Sequence, residues 1–578
     1  MIVQGGMHVH KGSALNARAY VEADRHRCGD YYLAEGEGIA ERIVASRDCS
    51  VTVGATLDGD QYERWVAGFD PATGLPKGRL RTDEHANRFQ EITINGPKSW
   101  SLVAALIPEV AAAYDAAQAR AATQVVAWLG AHLTYRVGRR GEQVQMPVDR
   151  IEAVMVRHHT SRAGDPHRHI HLQVNARVWG DGAWRGLHTV GFRDALAAMN
   201  GIGHAAMMSD PEFRDALARW GFTLDLATGE IEQLAPYVGA FSARAAQVTR
   251  NVERYEADWR ADHPGSEPPA KLRRQWDAMA WADGRPQKKL ADDPAEQTAK
   301  WVQHLRELGF EMPRYRAEVE ATPPGRLDRD DAARIVVSRL AAKGSRWNAA
   351  DIRGQVERLV AEVNIVTGPS VRIELAEDIT ARSIARCIPL VDGISPESHV
   401  RHLTSPHVVA VEDELAKRLA ARSHVPTRED QQVRAIVDAT TRRRAPDLDS
   451  GQLQGVGAIV SGPQLVVIEG AAGAGKTTLL GAAHEAHQRE YRQLTLVTPT
   501  RKAARVADEQ TGVSATSAAW LVYQHGYRWD DDGHWTRLEP GQTDPRTGRV
   551  YEGPGRDAKL RPRGTLLIDE AGMLDQDT

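Results

Sequence analysis

Apolar and polar positions along this chain fall into three regimes. In the first, Glu91-Ile-Thr-Ile reads as a strand, an N-G-P turn follows, and the apolar-rich run SLVAALIPEVAAAYDAAQARAATQVVAWL predicts a long helix. Glu152 to Arg157 predicts a second strand and His169 to Val178 a third, with a hairpin-like turn around Asp181 before Trp184. Strands mixed with long helices indicate an α+β domain with an antiparallel sheet. From Leu187 to about Asn251 the pattern is helical. The charged, proline-containing stretches DHPGSEPPAK, ADGRPQKKLADDPAEQ and ATPPGRLDRDD then read as domain edges or linkers, and an Ala/Arg-rich helical section fills roughly Asp330 to Ala445. The last regime alternates LVVIEG, a helix, LTLVTPT, a helix and GTLLIDE, the pattern of a parallel nucleotide-binding sheet. The expected whole is a multidomain α/β protein: an α+β domain over 1–320, a helical region over 321–445 and a partial nucleotide-binding domain over 446–578.

Length agrees, since 578 residues exceed what one core organises. No run of about 18 apolar residues is present, so no membrane insertion is expected. Cys28, Cys49 and Cys387 lack metal-site spacing, which fits a reducing cytoplasm. A net charge of −4 argues against wrapping nucleic acid over the whole surface. Any DNA binding would therefore fall to local basic runs such as Arg273-Arg274, Lys288-Lys289 and Arg442 to Arg444, each of which also reads as a solvated surface or linker.

Two motifs carry chemistry. Gly470-x-x-x-x-Gly475-Lys476-Thr477, with Gly473 inside it, follows a β-branched run and precedes an apolar helix, the context a phosphate-cradling P-loop requires. Backbone N–H groups turn toward phosphate oxygens, Lys476 reaches the β and γ phosphates of ATP, and Thr477 offers its hydroxyl to Mg²⁺. Downstream, Leu566-Leu-Ile-Asp569-Glu570 supplies Asp569 to hold Mg²⁺ and Glu570 to orient the attacking water. The second motif is HHTSRAGDPHRHIH, with five histidines between His158 and His171. On a strand, His169 and His171 share one face while Ile170 points into a core. A third imidazole completes a metal site open to substrate, and spacing alone leaves His158 and His167 as alternatives.

The histidine segment resembles the three-histidine motif of MobF-type conjugative relaxases, the TrwC/TraI-like members of the HUH endonucleases. That resemblance implies His158, His169 and His171 as ligands of a divalent metal, Mg²⁺ or Mn²⁺, although three imidazoles by themselves favour Zn²⁺, Mn²⁺ or Ni²⁺. It implies Arg162 of the T-S-R turn as a phosphate contact. Glu91, in the strand before P-K-S-W-S, stands where the family has an aspartate that fixes a ligand's tautomer. The family nucleophile is an early tyrosine, matched here by Tyr20 and by Tyr31-Tyr32; either Tyr20 or Tyr31 attacks first, and Tyr32 is the best candidate for simple packing. D-E-A-G-M similarly resembles motif II of RecD-like superfamily 1 helicases, LDSGQLQGVGAI their adenine-reading motif with Gln452 as reader, and TPTRKAARV their motif Ia. The later helicase motifs have no place within these residues, so ATP binding without unwinding is expected. The implied activity is nicking of one DNA strand at a transfer origin through a 5′-phosphotyrosine. Its implied partners are an origin hairpin with its adjacent single strand, and a type IV secretion coupling protein. Alternatives are a RecD-like helicase with structural histidines and a noncatalytic DNA-binding remnant of a relaxase.

Overall fold

The computed structural model describes residues 6–28, 39–81, 83, 85–139, 142–161, 163–262, 270–282, 294–391, 397–422, 424–444, 448–471 and 474–574. The chain divides into two units, one of residues 1–337 with 346–403 and one of 338–345 with 404–578. No helix among the described residues is long and apolar enough to cross a membrane.

The first unit begins with β1 (His8–Lys11), α1 (Ala14–Cys28), β2 (Ala40–Ser46), β3 (Val51–Leu57), α2 (Gly59–Ala67) and β4 (Asn87–Asn95). It continues through α3 (Lys98–Leu106), α4 (Pro108–His132), β5 (Thr134–Val137), β6 (Val144–Pro147), β7 (Arg150–Thr160), β8 (Pro166–Asn175), β9 (Arg177–Gly180) and β10 (Ala183–Gly186). The main sheet is antiparallel in the order β1-β4-β8-β7-β2-β3, with β9 on β7 and β10 on β9. Strand alternation gives it two unlike faces. Ile92, Ile94, Ala153, Met155, Ile170 and Leu172 meet the buried side of α4 at Ala117, Ala121, Val125 and Leu129. The opposite face carries Phe89, Val154 and Val156 against Ala17 and Val21 of α1 and Tyr62 and Trp65 of α2.

The single helix expected from Ser101 is two. Pro108 lacks an N–H and disfavours helical backbone at the residue before it, and Ile107 is extended at φ −136°. The third strand, expected from His169 to Val178, starts at Pro166, a position proline tolerates as the first residue of a strand, and ends at Asn175.

Helices α5 (Thr189–Asp194), α6 (Leu196–Met208), α7 (Pro211–Arg219), α8 (Ala243–Asp262), α9 (Ala270–Ala282), α10 (Pro294–Glu307), α11 (Arg329–Ala341), α12 (Ala349–Glu362) and α13 (Pro369–Ala385) follow. Packing continues past the boundary expected at residue 320. Gly201 of α6 faces Gly354 of α12 so closely that a Cβ on Gly354 would stand 2.3 Å from the Ala197 carbonyl oxygen. Buried Glu357 of α12 accepts from Arg353 and Arg372, and Arg372 also donates to Gln124 of α4.

β11 (Ile388–Pro389) pairs with β12 (Leu403–Thr404). The second unit then holds α14 (Pro406–Ala420), α15 (Asp430–Arg444), α16 (Ser450–Val460), α17 (Lys476–Arg489), β13 (Leu494–Thr498), α18 (Arg501–Thr511), β14 (Ala515–Ser517), α19 (Ala518–Gln524), β15 (Tyr527–Trp529), β16 (Trp535–Arg537) and β17 (Thr565–Ile568). Its parallel sheet runs β14-β13-β17, as the βα alternation predicts. LVVIEG, expected as a strand, is not one: Val467 and Ile468 are exposed, and a parallel strand is stable only when paired and covered.

Candidate metal centre and nucleotide-binding loop

The register of three strands gathers the first site. His158 of β7 lies opposite His169 of β8, His169 opposite Asn95 of β4, and Gln173 opposite Glu91. Directly paired residues share a face, so all of these lie on the face that α1 and α2 partly cover. Strand β7 is irregular next to these histidines, since the β7–β8 register shifts between His158 and Thr160. Such a bulge re-aims side chains.

Hydrogen bonds fix the imidazole tautomers. His171 Nδ1 lies 2.9 Å from Glu91 Oε1, and His169 Nδ1 lies 2.8 Å from the His167 carbonyl oxygen. Each acceptor takes an Nδ1–H, which leaves the lone pair on Nε2. The two Nε2 atoms stand 3.2 Å apart. Nitrogens about 2.1 Å from one ion at tetrahedral to octahedral angles stand roughly 3.0–3.4 Å apart, so this pair fits a shared cation as it is. The His158 ring lies 4.9 Å from that of His171 and stacks 5.2 Å from that of His169, at 21° between planes. His158 is thus the imidazole next to the pair, in ring contact with both His169 and His171. Buried Asn95 adds an Oδ1 that accepts no hydrogen bond among the described residues. The donor set suits a divalent cation of N/O preference.

Electrostatics keep the donors ready. Burial opposes a charge on Glu91, but the His171 ring and the Gln173 amide outweigh it and hold the carboxyl at about 2. Gln173 is itself held by the Tyr62 hydroxyl at 2.8 Å. Burial pushes His167 and His159 down to about 3, helped by Lys98 and Arg168 respectively, and takes His169 well below its ordinary value. Neutral imidazoles are the form that binds metal.

Helix α1, which carries Tyr20, packs on this same face. Val21, next in the chain, lines a cavity of about 420 Å³ together with His158, His159, Arg157 and Arg168. The structure describes the backbone of Tyr20 and not its side chain; Tyr31, Tyr32, Arg162 and Gly473 lie outside the described residues.

In the second unit, Gly475 caps α17 at φ +71°, a left-handed conformation that favours glycine. A Cβ there would also stand 2.1 Å from Gln452 Nε2. Lys476 Nζ donates to the Gly470 carbonyl oxygen at 2.8 Å, curling over the loop. Thr477 follows in the first turn of α17. Gln452 completes a capping box with Asp449 and donates weakly to Ala474 and Gly475, which ties α16 to the loop. Asp569 stands at the end of β17, where burial and Glu570 push its carboxyl up against the pull of Lys476. Glu570 adopts a left-handed backbone at φ 54°.

Sequence comparison decides the family. The model for the TrwC relaxase matches residues 14–308, just over half of the chain. The chain belongs to the TrwC relaxase family. A model for an AAA domain matches residues 447–578. The multifunctional conjugation protein TraI of Escherichia coli is 25% identical over 335 residues, 55% of this chain. The chain spans only 18% of that relative's length. Among solved structures, the conjugative relaxase TrwC in complex with oriT DNA, metal-bound, is 21% identical with a TM-score of 0.39; the match covers 53% of this chain and 99% of that one. TrwC complexed with a 27-mer DNA comprising the recognition hairpin and the cleavage site is 20% identical with a TM-score of 0.38, over the same 53% of this chain and 99% of that one.

Within this relaxase-family unit, several residues near the histidines had no role assigned from the sequence. A second H-x-H, His8-Val-His10, lies on β1, where His8 pairs with Glu91 and His10 stacks on Phe89 at 4.6 Å. Its spacing was the available signal. Lys98 and Ser101 of P-K-S-W-S hold the first residues of β8, through Pro166 O at 2.9 Å and Arg168 N at 3.0 Å. Of the basic runs, Arg273 pairs with Glu256 at 3.0 Å. Among the described residues, the His/Cys/Asp/Glu set whose ligand atoms all lie within 4.8 Å of one another is Asp530, Asp532 and His534 in the second unit. Their oxygens already serve the turn's N–H groups and Arg339.

Proposed function

We propose that this chain is a conjugative DNA relaxase joined to an ATP-binding motor module. It nicks one strand at the transfer origin of a plasmid or integrative element and stays joined to the new 5′ end through tyrosine. The observation that carries this reading is the pair of metal-facing Nε2 atoms on His169 and His171, oriented from behind by Glu91, with His158 alongside and the Tyr20 helix on the same face. In the reaction, the phenolic oxygen of Tyr20 or Tyr31 forms a bond to the scissile phosphorus as the bond to the 3′-oxygen breaks. The phenol's proton is balanced by protonation of the departing 3′-oxygen. Because a phenol titrates near 10, it is a better leaving group than an alkoxide, and the aryl phosphate ester remains competent for rejoining. A divalent ion held by His158, His169 and His171, Mg²⁺ or Mn²⁺ in this reading, supplies charge neutralisation of the non-bridging oxygens. Arg162 contacts the phosphate, and Glu91 keeps His171 in its ligating tautomer.

The DNA is an origin hairpin and its flanking single strand, read by base contacts and stacking, while phosphate contacts set register. TraI is named as a conjugation protein, and the same process is assigned to this chain, including delivery to a secretion coupling protein in the cytoplasm. In the second unit, Gly470, Gly473, Gly475, Lys476 and Thr477 bind ATP with Mg²⁺, Asp569 and Glu570 serve the metal and the water, and Gln452 reads adenine.

The test uses 3′-labelled single-stranded oligonucleotides tiling the DNA that flanks the gene, incubated with Mn²⁺ and run on a denaturing gel. Label is expected in the protein band, reduced by Tyr20→Phe or Tyr31→Phe and lost when both are changed. Binding without any covalent label, across the whole tiling set, contradicts the proposal.

A further inference from the structure

The turn that joins the two ligand strands is held from outside by a helix more than 130 residues away. Gln297 Nε2 of α10 donates to the Gly164 carbonyl oxygen at 2.8 Å, and Trp301 Nε1 donates to the same oxygen at 3.1 Å. Gly164 sits in the turn at φ +83°, and a Cβ on it would stand 3.2 Å from Gln297 Nε2. The turn's own bonds, Ser161 N to Asp165 O and Gly164 N to Ser161 O, close it internally. On its other side, Lys98 Nζ and Ser101 Oγ of α3 take the Pro166 carbonyl and the Arg168 N–H. Residues 164–168 are therefore gripped by α10 and α3 immediately before His169, and immediately after the register shift at His158.

We infer that α10 clamps the metal-site turn, with Gln297 and Trp301 as positioning residues that act through the Gly164 carbonyl. The physical reason is the period of a strand. A slip of one residue in β8 turns His169 and His171 to the apolar face and Ile170 to the metal face. The ladder with β4 and β7 sets the register of β8 from His169 onward, and the shift between His158 and Thr160 interrupts pairing only at the turn, so outside contacts govern how that end of the ladder is held. Two N–H groups on one carbonyl, from side chains one helical turn apart, fix the turn at a point rather than along a surface. Lys98 and Ser101 give the opposite anchor, and a segment held at both ends cannot slide. The inference rests on the metal-centre reading of His158, His169 and His171 and adds to it the residues that set the site's geometry.

The experiment is calorimetric titration of the full chain with Mn²⁺ alone, so that neither DNA nor cleavage enters the readout. Trp301→Phe keeps a ring and removes the N–H; Gln297→Leu keeps bulk and removes the donor. Each single variant leaves one donor on Gly164 and is expected to weaken Mn²⁺ binding about 2- to 3-fold. The double variant is expected to weaken it roughly 10-fold or more, within the range of outer-shell effects on metal sites. Hydrogen exchange is expected to rise in peptides covering residues 158–171, with little change in peptides from β2 and α4. Should the double variant fail to fold, the two single variants and their exchange carry the test. Wild-type Mn²⁺ affinity and exchange in the variants overturn the clamp while leaving the metal centre standing. A wild-type chain that binds no Mn²⁺ overturns the metal-centre reading, and the clamp with it.

Discussion

His171 points its Nε2 at that of His169 because Glu91 Oε1, 2.9 Å away on the neighbouring strand, takes the proton on its Nδ1. Glu91→Gln removes the charge that makes this acceptor strong and lets the imidazole choose its other tautomer. Mn²⁺ affinity is expected to fall 10- to 100-fold, measured by calorimetry. Glu91→Asp withdraws the carboxylate by one methylene and is expected to fall between the two.

The buried imidazoles make the first unit acid-sensitive. His159 and His167 titrate at about 3 when folded, because burial disfavours their charged form, against an ordinary value of 6.5. Between those values the unfolded chain binds protons that the folded chain refuses. Stability is therefore full above about 6.5 and is lost as pH falls through the window down to 3, by up to about 1.4 kcal/mol per pH unit for each group. Thermal melting from pH 7.5 to 5 checks this: the melting temperature is expected to drop steadily below 6.5. His167→Gln is expected to flatten the slope.

Helix α12 depends on the absence of two side chains. Gly354→Val drives a branched side chain into the Ala197 carbonyl of α6. The expected cost is about 2–3 kcal/mol, and melting of the first unit is expected to fall by roughly 4–10 °C. Gly325→Val, in the same unit and where a Cβ meets nothing within 4 Å, is the control and is expected to leave melting unchanged.

In the second unit, Lys476 is proposed as the phosphate-binding cation of the loop, and its Nζ curls over that loop onto the Gly470 carbonyl. Lys476→Ala is expected to weaken binding of a fluorescent ATP analogue more than 10-fold. Covalent labelling by the oligonucleotides is expected to be unaffected, since the histidines belong to the other unit.

Much of the candidate metal centre's arrangement was legible because its geometry is local. An H-x-H pair on a strand fixes a shared face by geometry alone, and the sheet confirms that His169 and His171 share it. Spacing could not choose between His158 and His167. Cross-strand pairing puts His158 opposite His169, while the His167 carbonyl takes the Nδ1–H of His169. What the sequence hid was non-local. Pro294 begins α10 inside a stretch whose charges and prolines read as linker, yet Trp301 and Leu305 recur at helical spacing behind it. Proline at a helix start and proline in a loop look alike until the partner surface is known. The α6–α12 contact was equally hidden, because Gly201 and Gly354 signal close approach only once both helices are placed. The P-loop was plain as a motif, but LVVIEG shows that β-branched composition does not make a strand without a paired sheet to join.

The most direct measurement is cleavage of a labelled origin oligonucleotide, with Mn²⁺ and with EDTA, by the wild-type chain and by a His169→Ala, His171→Ala variant. Site-specific cleavage is expected only from the wild-type chain with metal. Cleavage at the same site and rate in EDTA, or by the doubly substituted chain, contradicts a histidine-held cation as the centre of this protein's chemistry.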